Sequence, residues 1–462
     1  MLITNAELYQ VGHGAARVEG AFVTGIGDLQ ARPGERVLDA DGGALLPGLH
    51  DHHLHLRSYA AALGSTQCGP PQVNDAEQLR AALGAAAAQT GGWIRGVGYH
   101  DSVAGSLDRV WLDAVVPTHP VRVQHRSGRM WIVNSSALQA LRQVSPSTTA
   151  LPADGRLYEA DPLLHLLPDA TAPDLAMASQ RLASYGVTGC TDMTPHNNAQ
   201  TMAEFRADQR EHVLLQHVRM AGRLEWGEPP SNDAAAPGPT KIHLHEAALP
   251  AFPDLCTTIT ASHAAGRPVA VHCVTETELV FTLAALREVG PIAADRIEHA
   301  SVATDELINQ ISKLGITVVT QPNFLAERGD AYLREVPSVD QPGLYRCAGF
   351  IARGVPLAAG TDAPFGHADP WRAMAAAVQR RSAAGVVMNE AECLTPEQAL
   401  ALFLGPLERP AEPRRLVAGM VADLCLLDRP WAEVRAELSS DRVRTTLRSG
   451  AVIYDRVDEP PR

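Results

Sequence analysis

Of the 39 basic residues in this chain of 462, all but Lys241 and Lys313 are arginine. A surface cation can be arginine anywhere, so a lysine kept inside an apolar segment is a candidate for chemistry that a guanidinium cannot perform. An amine can lose its proton and react. Lys313, at the end of the helical stretch DELINQISKLG, reads as an ordinary helix C-terminal charge; Lys241, in PTKIHL, does not. Eighteen histidines give roughly 0.7 chance matches to H-x-H, and three occur, at 50/52, 53/55 and 243/245. His53 and His55 end the apolar segment ALLPGLHDHHLHL, and two residues apart on a strand their side chains leave the same face. Farther on, single polar residues close otherwise apolar strands: His272 in RPVAVHC, His299 in RIEHA and Asp362 in VPLAAGTDAP. Each alone has a structural reading, Asp362 for example as a helix N-cap. Together they set four imidazoles, an amine and a carboxylate on one rim, where desolvation is costly unless a cation organises it. Histidine and carboxylate donors favour zinc or a similar divalent ion.

Such a rim requires strands whose carboxyl ends meet. Short apolar strands alternate with Ala-rich helices over 186–192, 198–210, 213–220, 240–244, 254–266, 268–273, 275–289, 295–298, 303–314, 316–321 and 355–361. Repeated β-then-α units mean a parallel sheet with helices outside, and this many in succession predict an α/β fold of the (β/α)8 barrel type, with its active site at the strand C-termini. Residues 56–180 fit the rhythm poorly and read as an insertion after the first barrel strand, with strand-like pieces at 93–99 and 120–125. Both chain ends are strand-rich, alternating with period two between Gly and Asp-Gly turns.

Composition narrows the function classes. Hydrophobic residues at 45%, charged residues at 20% and a net charge of −13 describe a soluble globular protein that repels phosphate backbones and anionic lipid. No run of about 18 apolar residues suggests a membrane span, and the first residues carry no basic-then-apolar export signal. Seven cysteines without a C-x-x-C pair argue for reduced thiols rather than a disulfide framework or zinc ribbon. The expectation is a cytoplasmic protein with a small-molecule substrate, no nucleic-acid partner and no membrane partner; the sequence allows a homo-oligomer. Neither G-x-S-x-G nor a P-loop occurs, which disfavours serine hydrolase and nucleotide chemistry.

With these residues in view, the sequence resembles the amidohydrolase superfamily, and within it the branch of large amidohydrolases that includes N-substituted formamide deformylases. The resemblance is carried by LLPGLHDHHLHL for a D-x-H-x-H strand, TKIHL for a lysine strand, GRPVAVHCVTE and DRIEHASVATDELI for two single histidines, and GVPLAAGTDAPF for the aspartate. GMVADLCLLD and RSGAVIY look like that superfamily's returning β-sandwich strands. The resemblance implies a composite β-sandwich from residues 1–47 and 405–462 around a 48–404 catalytic barrel. It also implies one or two divalent metals, zinc being expected, held by His53, His55, His272, His299 and Asp362. Lys241 would bridge them as a CO2-derived carbamate. Three places depart from the branch: Asp-Gly-Ser after the lysine strand is replaced by His243-Leu244-His245-Glu246, an expected histidine is Arg129 in VQHRSGRMWIVNSSAL, and Ser-Asp becomes Thr361-Asp362.

The implied reaction is hydrolysis of a C–N bond in an amide, N-substituted formamide or cyclic amide. Metal-activated hydroxide would attack the carbonyl, with Lys241 and Asp362 in the catalytic set and Asp362 carrying the proton to the leaving nitrogen. Arg129, followed directly by Met130, Trp131, Ile132 and Val133, is a candidate contact to a substrate carboxylate or other acceptor. One alternative is a ring deaminase on the same barrel, with Glu276 four residues after His272. Another, of a different class, is a non-catalytic barrel scaffold.

Overall fold

Eight short strands lie parallel, and where both faces are covered, as in VAVHC and LAA, Val and Ala run on with little polar interruption. They are β1 (Leu49–Leu54), β2 (Val187–Asp192), β3 (His217–Met220), β4 (Thr240–His243), β5 (Val269–Cys273), β6 (Arg296–His299), β7 (Thr317–Thr320) and β8 (Leu357–Ala359). The computed structural model describes residues 1–145, 151–158, 161–164, 173–226 and 238–456. Strands β1, β2 and β3 form one parallel sheet, and β4 to β8 another in sequence order. The sheets meet at both edges. Past β3, Gly222 bridges Thr240 in parallel and accepts the Lys241 N–H at 2.8 Å; past β8, the Asp362 N–H donates to His53 O at 2.7 Å and the His55 N–H to Ala363 O at 2.8 Å.

Helices connect these strands, each started and stopped by readable chemistry. Thr275 and Glu278 form a reciprocal capping box at the head of Glu276–Val289. Thr304 caps Asp305–Leu314, whose Leu307, Ile308 and Ile311 face inward, and Gly315 ends it at φ +67, a conformation cheap only for glycine. One expected strand is shorter than its sequence suggested. Of 213–220 only His217–Met220 is extended, because the Val213 and Leu214 N–H groups both turn back to Asp208 O.

The chain divides into two compact units, Met1–Leu56 with Ala176–Arg462, and Arg57–Leu175. In the first, strands from both chain ends share one mixed eight-stranded sheet in the order Ala451–Asp455, Val443–Arg448, Leu424–Leu427, Ala44–Pro47, Leu2–Leu8, Gly12–Glu19, Phe22–Gly27, with Val37–Asp39 beside Leu2–Leu8. The second has its own five-stranded sheet. Thr66–Gln67, Ile94–Tyr99 and Val121–His125 run parallel, and Met130–Val133 and Arg156–Tyr158 continue antiparallel, over a core containing Leu79, Leu83, Leu112, Val123 and Ile132. Among the described residues no helix is long and apolar enough to cross a membrane, and all seven cysteines are free thiols.

Candidate metal centre

Strand ends β1, β6 and β8 bring His53, His299 and Asp362 together, with one ligand atom from each lying within 4.8 Å of the others. Asp362 Oδ1 sits 3.3 Å from His55 Nε2 and 3.5 Å from His53 Nε2, without a well-aligned hydrogen bond. The opposite edge of each ring is engaged elsewhere. His53 Nδ1 meets Glu298 Oε2 at 2.6 Å, His55 Nδ1 meets Thr194 Oγ1 at 3.2 Å, and His299 Nδ1 meets Gln321 Oε1 at 2.6 Å. Metal-binding histidines are commonly held this way, one nitrogen fixed by a neighbour and the other free to coordinate. From His53 the rings continue without a gap: His53 to His299 is 4.8 Å between centroids, His299 to His272 is 4.4 Å, and His272 to His243 is 4.3 Å.

Charge in this pocket is set by burial. Burial, with Lys241 adding repulsion, pushes the His53 imidazole down to about 3, and burial likewise lowers His272 and His299. All three are therefore neutral at physiological pH, the form with a lone pair to give. Burial opposes ionisation of Asp362, yet His53, His55 and His299 outweigh it and hold the carboxyl well below its usual range. Lys241 lies on β4, in register with Ala270 of β5. Its Nζ is buried without a hydrogen-bond partner, and burial draws its ammonium below the ordinary value. An unpartnered buried amine facing carboxylate charge from Glu298 and Asp362 is an expensive arrangement. It fits a group destined for a cation or for covalent modification.

Residues 36–454 match the amidohydrolase family over most of the chain. The chain belongs to that family. Two curated relatives extend across it: YtcJ of Bacillus subtilis, a protein named as an amidohydrolase, is 21% identical with 96% of each chain covered, and an N-substituted formamide deformylase of Arthrobacter pascens is 24% identical over 92% of this chain and 91% of its own. A metal-dependent hydrolase of Pyrococcus horikoshii shares the fold at a TM-score of 0.72 and 19% identity, covering 93% of this chain and 97% of its own.

In this amidohydrolase buried carboxylates support the candidate ligands. Glu298 is fully buried and paired with Arg296, whose guanidinium also donates to His52 O at 2.7 Å. Its signal was adjacency, since R-I-E-H carries ligand candidate and support in one strand. Asp51 is likewise fully buried. Its Oδ2 accepts the Thr361 hydroxyl at 2.5 Å, while Oδ1 accepts the Thr361 N–H at 3.0 Å and the His53 N–H at 3.1 Å. Asp192, ending β2, accepts the Leu56 N–H just past β1 at 2.7 Å and holds Asn197 Nδ2 at 2.7 Å. Arg129 lies in the unit Arg57–Leu175, on the turn between Val121–His125 and Met130–Val133, where its N–H approaches Ser127 Oγ at 3.4 Å. Glu276 opens its helix, and the buried carboxylate there is Glu278, which accepts the N–H groups of Val274, Thr275 and Glu246.

Proposed function

We propose that this amidohydrolase is a metal-dependent enzyme that hydrolyses the C–N bond of a small amide, N-substituted formamide or cyclic amide. The observation that carries the reading is the polarity of the histidines: His53, His55 and His299 each have Nδ1 engaged by a neighbour, and Nε2 of His53 and His55 turns to Asp362 Oδ1. His53, His55, His272, His299 and Asp362 would hold one or two divalent ions, with His53, His299 and Asp362 the group whose ligand atoms lie within 4.8 Å of one another. Lys241 would bridge them after its amine adds to CO2 with loss of a proton, giving an anionic carbamate. Zinc is the ion expected from this donor set. A divalent ion held there polarises a carbonyl oxygen and acidifies water.

The chain's own groups do the rest. Asp362 Oδ1 takes a proton from the attacking water and returns it to the leaving nitrogen. Glu298 and Gln321 keep His53 and His299 in the tautomers that turn Nε2 inward. Arg129 is the proposed contact to an acidic group on the substrate. The domain reading goes with this mechanism: a catalytic barrel over 48–404 with an insertion at about 56–180, and a composite β-sandwich from 1–47 and 405–462. The two seams between the parallel sheets support closure of that barrel.

The test is metal analysis of protein made in defined metal medium, followed by a hydrolysis screen over formamides, N-acyl amines and cyclic amides. The formamides come first because a relative of 24% identity is named for deformylation of N-substituted formamides. Stoichiometric zinc and turnover abolished by a chelator are expected. Metal-free protein that turns over unchanged would overturn the reading.

A further inference from the structure

The dipeptide that presents Asp362 is held in an unusual state. Asp362 has φ +56, in the left-handed region that side chains other than glycine's rarely adopt. Several contacts hold it there. Its N–H donates to His53 O at 2.7 Å, and its carbonyl accepts the Phe365 N–H at 2.8 Å. The Thr361 carbonyl accepts Asn323 Nδ2 at 3.0 Å. The remaining contact is Asp51, which takes both the hydroxyl and the N–H of Thr361 on its two oxygens and spends the rest of its capacity on the His53 N–H. Asp51 is two residues before His53 on the same strand, so side-chain alternation turns it to the same face as His53 and His55. Its carboxylate nevertheless turns to the Thr361 backbone, and no ion pair to it is found among the described residues. Gly360 makes the approach feasible, since a Cβ there would fall 2.4 Å from the His53 nitrogen.

We infer that Asp51 is a positioning residue: through Thr361 it locks the β8 turn against β1 and so aims the Asp362 carboxylate at His53 and His55. The inference rests on the reading that Asp362 and His53 hold a metal. A carboxylate suits the task because it accepts from three donors at once, whereas asparagine would present an amide N–H to the Thr361 hydroxyl on one side. Thr361 is the intermediary, so its hydroxyl, rather than its methyl, transmits the effect.

The experiment measures zinc affinity by chelator competition for Asp51→Asn, Thr361→Val and Thr361→Ser, alongside His53→Ala and Asp362→Ala, with thermal melting of every variant made metal-free. Asp51→Asn and Thr361→Val are expected to weaken zinc binding about 10–100-fold, the range for losing a group that orients a ligand, and Thr361→Ser is expected to restore it. Adding Asp51→Asn to Asp362→Ala should weaken binding little further, because a residue acting through Asp362 has nothing left to aim. Full additivity in that pair, or wild-type affinity in both Asp51→Asn and Thr361→Val, would overturn the inference while His53→Ala still lost zinc. Wild-type affinity in His53→Ala and Asp362→Ala would instead overturn the metal reading beneath it. Should Asp51→Asn fail to fold, the contrast between valine and serine at 361 carries the same test.

Discussion

A guanidinium keeps its charge at every accessible pH and cannot add CO2, so Lys241→Arg separates charge from reactivity at one position. The variant is expected to lose turnover and to bind less metal, whereas Lys313→Arg, changing the chain's other lysine on the surface end of its helix, is expected to leave both unaltered. Metal analysis and turnover of the two variants side by side check this, and unchanged metal content in Lys241→Arg would end the bridged-site proposal. Asp362→Asn asks a different question of the same pocket. The amide retains one oxygen for coordination but has no carboxylate to accept a proton, so turnover should fall about 10²–10⁴-fold while part of the metal remains bound. Near-wild-type rates across pH in that variant would remove Asp362 from proton transfer without touching the ligand assignment. The candidate ligands were legible because histidines, a lysine and an aspartate fall on or just past short strands, His53 and His55 as an H-x-H pair and the others singly, a pattern that one sequence displays. Glu298 and Gln321 were not, since a polar side chain beside or well after a histidine in sequence reads as ordinary polarity until the fold shows which ring it touches, and Asp51 was legible as part of the D-x-H-x-H motif but not in its contact with Thr361.

At the scale of elements, the alternation of apolar runs with Ala-rich stretches marked β4 to β7 to within a residue or two, because buried parallel strands and amphipathic helices have different periods. The seams did not follow from periodicity. That β8 lies against β1 depends on Gly360, whose missing Cβ lets the chain meet His53, and on backbone hydrogen bonds between residues some 300 positions apart. Pairing in the terminal sheet was equally hidden, since Leu424–Leu427 inserts between Ala44–Pro47 and Val443–Arg448. That sheet also offers a pH test remote from the metal pocket. Arg17 donates through Nε to Glu35 Oε1 at 2.8 Å and through Nη2 to Gln30 O at 2.6 Å. These bonds tie the loop before Val37–Asp39 to the strand Gly12–Glu19. The Arg17 guanidinium, helped by the Arg32 N–H, holds the Glu35 carboxyl at about 2, against an ordinary 4.5. A depressed carboxyl contributes stability that is present above the unfolded value and is lost as pH falls from about 4.5 through about 2. Glu35→Gln should therefore melt below wild type at pH 6 and converge with it as the pH approaches 2. A gap that stayed constant over that range would mean that the ion pair is not what the substitution removes.

For the whole molecule, the proposed ligands span residues 53 to 362, on or just past four strands of the unit Met1–Leu56 with Ala176–Arg462, with Asp362 just past β8. No unfolded chain presents them together. An ion bound at that centre therefore binds the native state alone, and mass action makes it part of the stability of the fold: at a free-ion concentration about 1,000 times Kd the contribution is about 4 kcal/mol. Removing the ion should lower Tm by several degrees, and returning zinc should restore it. Two comparisons give the result its meaning. Lys313→Arg should show the same chelator-induced drop as wild type, whereas His53→Ala should melt low from the start and respond to neither chelator nor zinc. The unit Arg57–Leu175 carries its own sheet and core and none of the proposed ligands. Hydrogen-exchange protection lost on chelation should consequently concentrate in β1 and β4 to β8 rather than in Ile94–Tyr99 or Val121–His125. Identical melting of metal-loaded and verified metal-free protein would mean that the pocket is held by its own packing, and that whatever ion it takes adds chemistry but no architecture.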